Sequence, residues 1–294
     1  MGAARLTLAA LLCSTAGCGE APRSFILAAA TSLSDSGLLD TLVSRYARER
    51  PDTRVRVVVL ASGRALDRGR RGGADVLLVH APAAEDRFLR DMTGAERIPV
   101  MYNDLLIVGP PDDPAGIAGV REPGRALARI QRAGSLFLSR GDGSGTHERE
   151  LALWRDAGLR PGGRGYREAD EGEGATLRAA SQRRAYALTD RATFAALEPA
   201  LDLEPLVQGH ASLANLYSVI LPGGSPGAEA AVDFADWLTS ARGRGAITGF
   251  RHDGAGFPLF ASLLVGWSLP FPGGAGHDEM SEDSASDGVT RPVP

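Results

Sequence analysis

The chain has 294 residues, enough to bury a large core and to build two lobes of ordinary domain size. Apolar residues make up 44% and charged residues 23%, the balance of a soluble globular protein, and a net charge of −4 excludes a general basic field for nucleic acid. There is no lysine, so all 32 basic side chains are arginine; a phosphate loop built on lysine is excluded, while a small anion can still be held by local donors and dipoles.

In chain order, the first element reads as an export signal. Met1 to Arg5 carries a weak positive charge, and residues 6–12 form an apolar run too short to span a membrane. Small residues follow, and Thr15-Ala16-Gly17-Cys18 resembles the lipobox of bacterial lipoproteins, with Thr15 where leucine is usual. Residues 1–17 are the expected signal peptide and Cys18 the expected lipidation site; plain secretion with an incidental Cys18 is the alternative. Cys13 leaves with the signal, so the mature chain has no disulfide pair.

Strands and helices then alternate. Residues 25–30 predict a short apolar strand. Residues 36–50 predict a helix, with Leu38, Leu39, Leu42, Val43 and Tyr46 on one face and Pro51 closing it. The β-branched run 55–60 predicts a strand buried on both faces. Runs 74–79, 105–108, 135–138 and 185–188 have strand character. Helical spacing recurs over 84–91, 125–133, 146–157, 175–183 and 227–242. Such alternation predicts an α/β fold with mostly parallel sheets. Residues 110–123 read as a surface loop, 160–174 as a Gly-rich stretch without periodicity, and 263–294 as a disordered tail. No later segment is apolar enough to cross a membrane.

Four strand-to-helix junctions carry small, hydroxyl-bearing or glycine residues. They are Thr31-Ser32, Ser62-Gly63, the run Arg140-Gly141-Asp142-Gly143-Ser144-Gly145-Thr146, and Glu173-Gly174-Ala175-Thr176. In an open parallel sheet such junctions gather at the strand ends where ligands bind. Free N–H groups and the positive dipole end make each helix start an anion site. Arg140 adds a charge-assisted, bidentate donor. Each junction alone is also an ordinary helix cap, worth about 1 kcal/mol; it is their number in one chain that points to a shared anion cleft.

Other chemistry finds less support. His147-Glu148 lacks the second histidine of a zinc helix, and no metal-ligand cluster or cofactor motif is present. Gly143-Ser144-Gly145 is not a nucleophile elbow, and His147 sits too near Ser144 on the same helix start to serve it as a base. His80 either lines the cleft or packs at a strand end. Asp190-Arg191 reads as a local cap and ion pair rather than a catalytic acid. The chain is not expected to be an enzyme.

Seven segments, taken together, resemble the tungstate-binding proteins of Tup-type ABC importers. They are residues 27–40 (LAAATSLSDSGLLD), 74–84 (ADVLLVHAPAA), 100–110 (VMYNDLLIVGP), 139–147 (SRGDGSGTH), 174–177 (GATL), 187–193 (ALTDRAT) and 215–220 (NLYSVI). The resemblance implies a type II periplasmic-binding-protein fold: two α/β lobes, two crossovers and closure over the ligand. It implies residues 25–100 as the first segment of lobe 1, 101–209 as lobe 2 and 210–262 as the return to lobe 1. The implied ligand residues are Thr31, Ser32, Ser62, Arg140, Ser144, Gly145, Thr146, Gly174, Ala175 and Thr176. Ala29 and Ala30 stand where the family typically has threonines, and Asn215-Leu216-Tyr217 where Asn-Pro-Tyr is more usual. The implied partners are an ABC permease with its ATPase, and the implied location is the cell envelope. The alternatives are binding or sensing of molybdate, sulfate or phosphate, or an enzyme on the same bilobal fold.

One chemical distinction follows. Tungstate at neutral pH is a dianion whose oxygens only accept, so its site should present donors. Phosphate keeps a proton and wants an acceptor in the pocket. Asp35 and Asp142 are the carboxylates that bear on this, and both are expected to face backbone or arginine.

Overall fold

The computed structural model describes residues 23–251 and 258–263. The expected signal peptide, the lipobox with Cys18 and the tail from residue 264 lie outside the described residues.

β1 (Arg23–Ala30) runs straight into α1 (Thr31–Asp35), and Gly37, at φ +83°, turns the chain into α2 (Leu38–Glu49). The Thr31-Ser32 junction, expected to lead into one helix over 36–50, thus opens a short helix of its own. β2 (Thr53–Leu60), α3 (Ser62–Arg70), β3 (Val76–Val79) and α4 (Pro82–Asp91) continue the alternation. β4 (Glu96–Gly109) is far longer than the 105–108 run that the sequence shows. Then come α5 (Pro123–Ala133), β5 (Phe137–Ser139), α6 (Gly145–Asp156), β6 (Tyr166–Glu168), α7 (Glu173–Arg183), β7 (Ala187–Asp190) and α8 (Arg191–Leu197). β8 (Glu204–Val207), β9 (Ala214–Leu221), α9 (Ala228–Thr239), α10 (Ala241–Thr248) and β10 (Ala261–Ser262) complete the described chain.

β2, β1 and β3 pair in parallel, as the alternation predicts, and so do β5 and β6. β4 and β9 run antiparallel to each other, and β9 runs antiparallel to β3. β4 is the spine of the molecule. Its first part, to Asp104, pairs with β9; its last part pairs with β7 and β8. Two lobes therefore share one strand. In the first lobe, the β1 residues Phe25, Leu27 and Ala29 face one core with α2, α9 and α10, while Ala28 faces the other with α3 and α4. In the second, Leu105 and Ile107 face α5 and α6, and Leu106 and Val108 face α7 and α8.

Two expectations are corrected. β2 is not buried on both faces: among the described residues it pairs only with β1, and Val57 and Val59 are 39% and 40% exposed. A β-branched run marks a strand but not its place in the sheet; the exposed Arg54 and Arg56 are the edge signal, since charge on an edge deters further pairing. The single helix expected over 227–242 breaks at Ser240, which is extended at ψ 167° and whose Oγ accepts from Gly243 N–H at 3.3 Å, starting α10. The stretch without periodicity holds the short strand β6, too brief to show a pattern. Among the described residues no helix is long and apolar enough to cross a membrane.

Candidate functional site

The four junctions meet where the lobes touch. α1 and α3 start from the first lobe, α6 and α7 from the second. Gly63 N–H donates to Gly143 O at 3.2 Å across this seam. Gly145 lies against the His80 carbonyl so closely that a methyl there would sit 2.0 Å from the oxygen.

Arg140 is the centre of the arrangement. It follows β5, and Gly141 and Gly143 take left-handed backbone (φ +67° and +69°) that bends the chain from β5 into α6. Its side chain is 1% exposed. Nη1 donates to Glu173 Oε2 at 2.9 Å; Nη2 donates to Asp142 Oδ2 at 2.5 Å and, across the seam, to Thr31 Oγ1 at 3.0 Å. Nε is buried without a hydrogen-bond partner among the described residues. Glu173, also 1% exposed, gathers the second lobe around this arginine. Its Oε2 accepts from Thr146 Oγ1 as well (3.0 Å), and its Oε1 accepts from Thr189 Oγ1 (2.9 Å) and Asp190 N–H (2.6 Å). Every lone-pair direction of the carboxylate is thereby used, which is what tolerates it in a dry interior.

Behind α1 lies a closed ring of hydrogen bonds. Asn215 Nδ2 donates to Asn103 Oδ1 (2.8 Å) and to Tyr217 OH (3.2 Å), so its Oδ1 must accept from His80 Nδ1 (2.9 Å). Nδ1 then carries the imidazole proton, and Nε2 accepts from Ser32 Oγ at 3.3 Å. Tyr217 OH closes the ring by donating to Ser32 Oγ at 3.1 Å. The Tyr217 and His80 rings stack with centroids 4.6 Å apart. Burial pushes the His80 pKa down from 6.5 to about 4, against the Asn215 bond and with help from the Arg140 charge. Asn103 links the ring to Asp190, whose Oδ1 it bonds at 3.2 Å. Burial, and then the Glu173 charge, raise the Asp190 pKa well above the ordinary carboxyl value.

His80 makes a testable pH dependence. Its folded pKa lies below its unfolded one, so the stability held by neutral imidazole is complete above pH 6.5 and is lost as pH falls toward 4. The unfolding free-energy gap between the wild type and His80→Gln is expected to shrink by about 3 kcal/mol from pH 7 to pH 4. Urea titrations of both proteins across that range measure it. Comparison with the variant is needed because Glu85 and Glu150, raised by burial to about 7, act with the opposite sign as pH rises from 4.5.

The expected ligand residues are distributed as follows. Thr31 and Arg140 touch each other across the seam. Ser32 is fully buried in the ring behind α1. Ser62 Oγ accepts from His80 N–H at 3.3 Å. Ser144 caps α6, accepting from His147 N–H at 3.2 Å, and Thr146 bonds Glu173. Gly174 N–H donates to Asp35 Oδ2 at 3.1 Å, another bond between the lobes. Thr176 Oγ1 turns back to Gly172 O at 3.1 Å, and Ala175 lies half-buried in the first turn of α7. Ala29 and Ala30 are buried in the first-lobe core.

Asp35 and Asp142 face a backbone amide and Arg140, as expected; Asp142 Oδ1 also accepts from Ser144 N–H at 3.1 Å. Asp190 caps α8 through Thr193 N–H at 2.9 Å, and Arg191 forms an ion pair with Asp104. Of the two readings left open for His80, the structure favours packing at the end of β3: the side chain is 2% exposed, and its Nε2 accepts from Ser32 Oγ. Glu173, Asn103, Asn215 and Tyr217 are not among the ligand residues that the sequence implies. Glu173 does open the fourth junction, and Asn215 and Tyr217 lie in the 215–220 segment, but the partners of Glu173 at Thr189 and Asp190 come from another part of the chain.

A family model described as the PBP superfamily domain matches residues 16–242. A protein of Haloferax volcanii described as a putative ABC transporter anion-binding protein is 41% identical over 274 residues, 89% of this chain and 80% of that one. The tungstate-binding protein TupA of Peptoclostridium acidaminophilum is 39% identical over 247 residues, 82% of this chain and 86% of its own. Among solved structures, the tungstate ABC transporter from Geobacter sulfurreducens is similar with a TM-score of 0.68 and 39% identity, covering 78% of this chain and all of that one.

Proposed function

The chain belongs to the PBP superfamily and, within it, to the tungstate-binding proteins of ABC transporters, and from that premise we propose that it captures a tetrahedral oxyanion, tungstate first, between its two lobes. It delivers that anion to a membrane permease driven by an ATPase, outside the cytoplasm. In this reading residues 25–100 and 210–262 form one lobe and 101–209 the other, and Cys18 carries a lipid anchor.

The observation that carries the reading is Arg140. A guanidinium buried to 1% exposure at the meeting of both lobes, hydrogen-bonded to Thr31 of the opposite lobe and with its Nε–H lacking a partner among the described residues, is a donor set suited to an anion. The first turns of α6 and α7 add backbone N–H groups. Thr31, Ser32 and Ser62 are the first-lobe contacts, Ser32 through its backbone N–H because its hydroxyl proton is engaged by His80; Arg140, Ser144–Thr146 and Gly174–Thr176 close from the second. Asp142 and Asp35 now accept from Arg140 Nη2 and Gly174 N–H. A dianion must displace them from these donors, which favours ligands that bring charge over neutral ones.

Titration calorimetry with tungstate, molybdate, sulfate and phosphate tests the reading. Tungstate is expected to bind most tightly; folded protein that binds none of the four removes the proposal. A second reading, capture of another oxyanion, draws on Ala29 and Ala30: alanine brings no hydroxyl, and each hydroxyl lost from a ligand turn weakens binding by about 0.5–1.5 kcal/mol. The same titration ranks the four anions.

A further inference from the structure

We infer that Glu148 is a positioning residue whose carboxylate, reaching from α6 of the second lobe to the start of α4 in the first, clasps the lobes in the closed arrangement. Ala83 N–H donates to Glu148 Oε1 at 2.8 Å and Ala84 N–H to Oε2 at 3.2 Å. These amides are first-turn donors of α4, for which a helix has no internal acceptor. The α4 N-cap is Ala81, which has no side-chain acceptor to offer, and Pro82 brings no N–H of its own. Within the first lobe Glu85 Oε1 accepts from Ala81 N–H, at 2.8 Å, and it is the second lobe that takes up the Ala83 and Ala84 amides.

The geometry makes this more than a surface contact. Glu148 lies in the first turn of its own helix, so a single carboxylate faces the positive ends of two helices, one from each lobe. The same short segment caps a second first-lobe helix, since Gly63 N–H, in the first turn of α3, donates to Gly143 O. Gly145 lets the backbones approach between these two bonds. Separation of the lobes must break the clasp and return two amides to water. Its contribution therefore falls on the open–closed equilibrium and not on either lobe's own packing.

The link from clasp to affinity rests on the oxyanion-binding reading: a ligand held by both lobes binds in proportion to the closed population. Three measurements on the full chain test the inference, with Glu148→Ala and the milder Glu148→Gln, which keeps one acceptor oxygen. In unliganded protein, Glu148→Ala is expected to speed amide hydrogen exchange at Ala83 and Ala84 and to raise the radius of gyration measured by small-angle scattering. With sodium tungstate, its Kd is expected to rise about fivefold, the weight of one helix cap. Glu148→Gln should fall between wild type and alanine in all three. The inference is overturned if Glu148→Ala leaves both exchange and radius unchanged, or changes them while tungstate affinity stays at the wild-type value. If the wild type binds no tungstate, the oxyanion reading fails separately, and exchange and radius alone decide whether the clasp exists.

Discussion

Arg140→Ala is expected to lower the free energy of unfolding by about 3–5 kcal/mol, the usual cost of removing one partner from a buried ion pair. The reason lies in what stays behind. Glu173 and Asp142, 1% and 7% exposed, would face the vacated space without the guanidinium that both now bind. Glu173 keeps three other donors and Asp142 keeps Ser144 N–H, so the lobe should still fold at low temperature. Tungstate binding should be lost. Urea unfolding at pH 7 and calorimetry read the two effects separately. Adding Glu173→Gln to Arg140→Ala should recover part of the stability and none of the binding, because it relieves the orphaned charge without replacing the donor. Wild-type stability in Arg140→Ala would show that the pair is not structural; wild-type tungstate affinity would remove Arg140 from the site.

Gly145→Ala is the second large effect, and it acts through geometry alone. The new methyl would lie 2.0 Å from His80 O and 2.6 Å from His80 Nδ1. The first of these is backbone and cannot swing aside. The clashing atoms given for a methyl at Gly145 belong to His80 of the first lobe, and alanine is a better helix former than glycine, so the second lobe itself should not suffer. The clash is instead relieved by holding the lobes apart. The closed population should then fall below about 1%, with tungstate affinity reduced about 100-fold. The radius of gyration should increase and resist compaction by saturating tungstate. Wild-type affinity in this variant would mean that the seam is not part of the binding conformation.

These effects differ in how far they could be anticipated. Arg140 announces itself: a lone arginine between a strand and a Gly-Ser-Gly-Thr helix start is a donor by composition. The capping role of Ser144 follows from the same local pattern. Gly145 is harder, because a glycine at a helix start reads as a loose N-terminus until His80, 65 positions away in chain numbering, is seen against it. Glu173 is harder still. Its significance is the number of donors it satisfies, and these come from two stretches of chain on either side of it, Arg140 with Thr146 and Thr189 with Asp190. Ser32 shows the opposite case. Its hydroxyl is visible in the sequence, but its proton is engaged by His80, and only the ring through Asn215 and Tyr217 reveals that.

What the sequence determined by itself was everything set by neighbours within a few residues. The period of apolar side chains made α2 and α5, β-branched runs made β2 and β3, and serine or glycine before a periodic stretch placed the helix starts. What only the tertiary structure decided was which of these pieces meet. β2 became an edge because, among the described residues, no strand pairs beyond it, and β4 became the spine of both lobes because β9, β7 and β8 pair along different parts of its length. The hydroxyl and amide donors became partners of Asp35, Asp142 and Glu173 for a related reason: a buried donor or acceptor takes the nearest complement in space, and spatial order in a two-lobed chain is not sequence order.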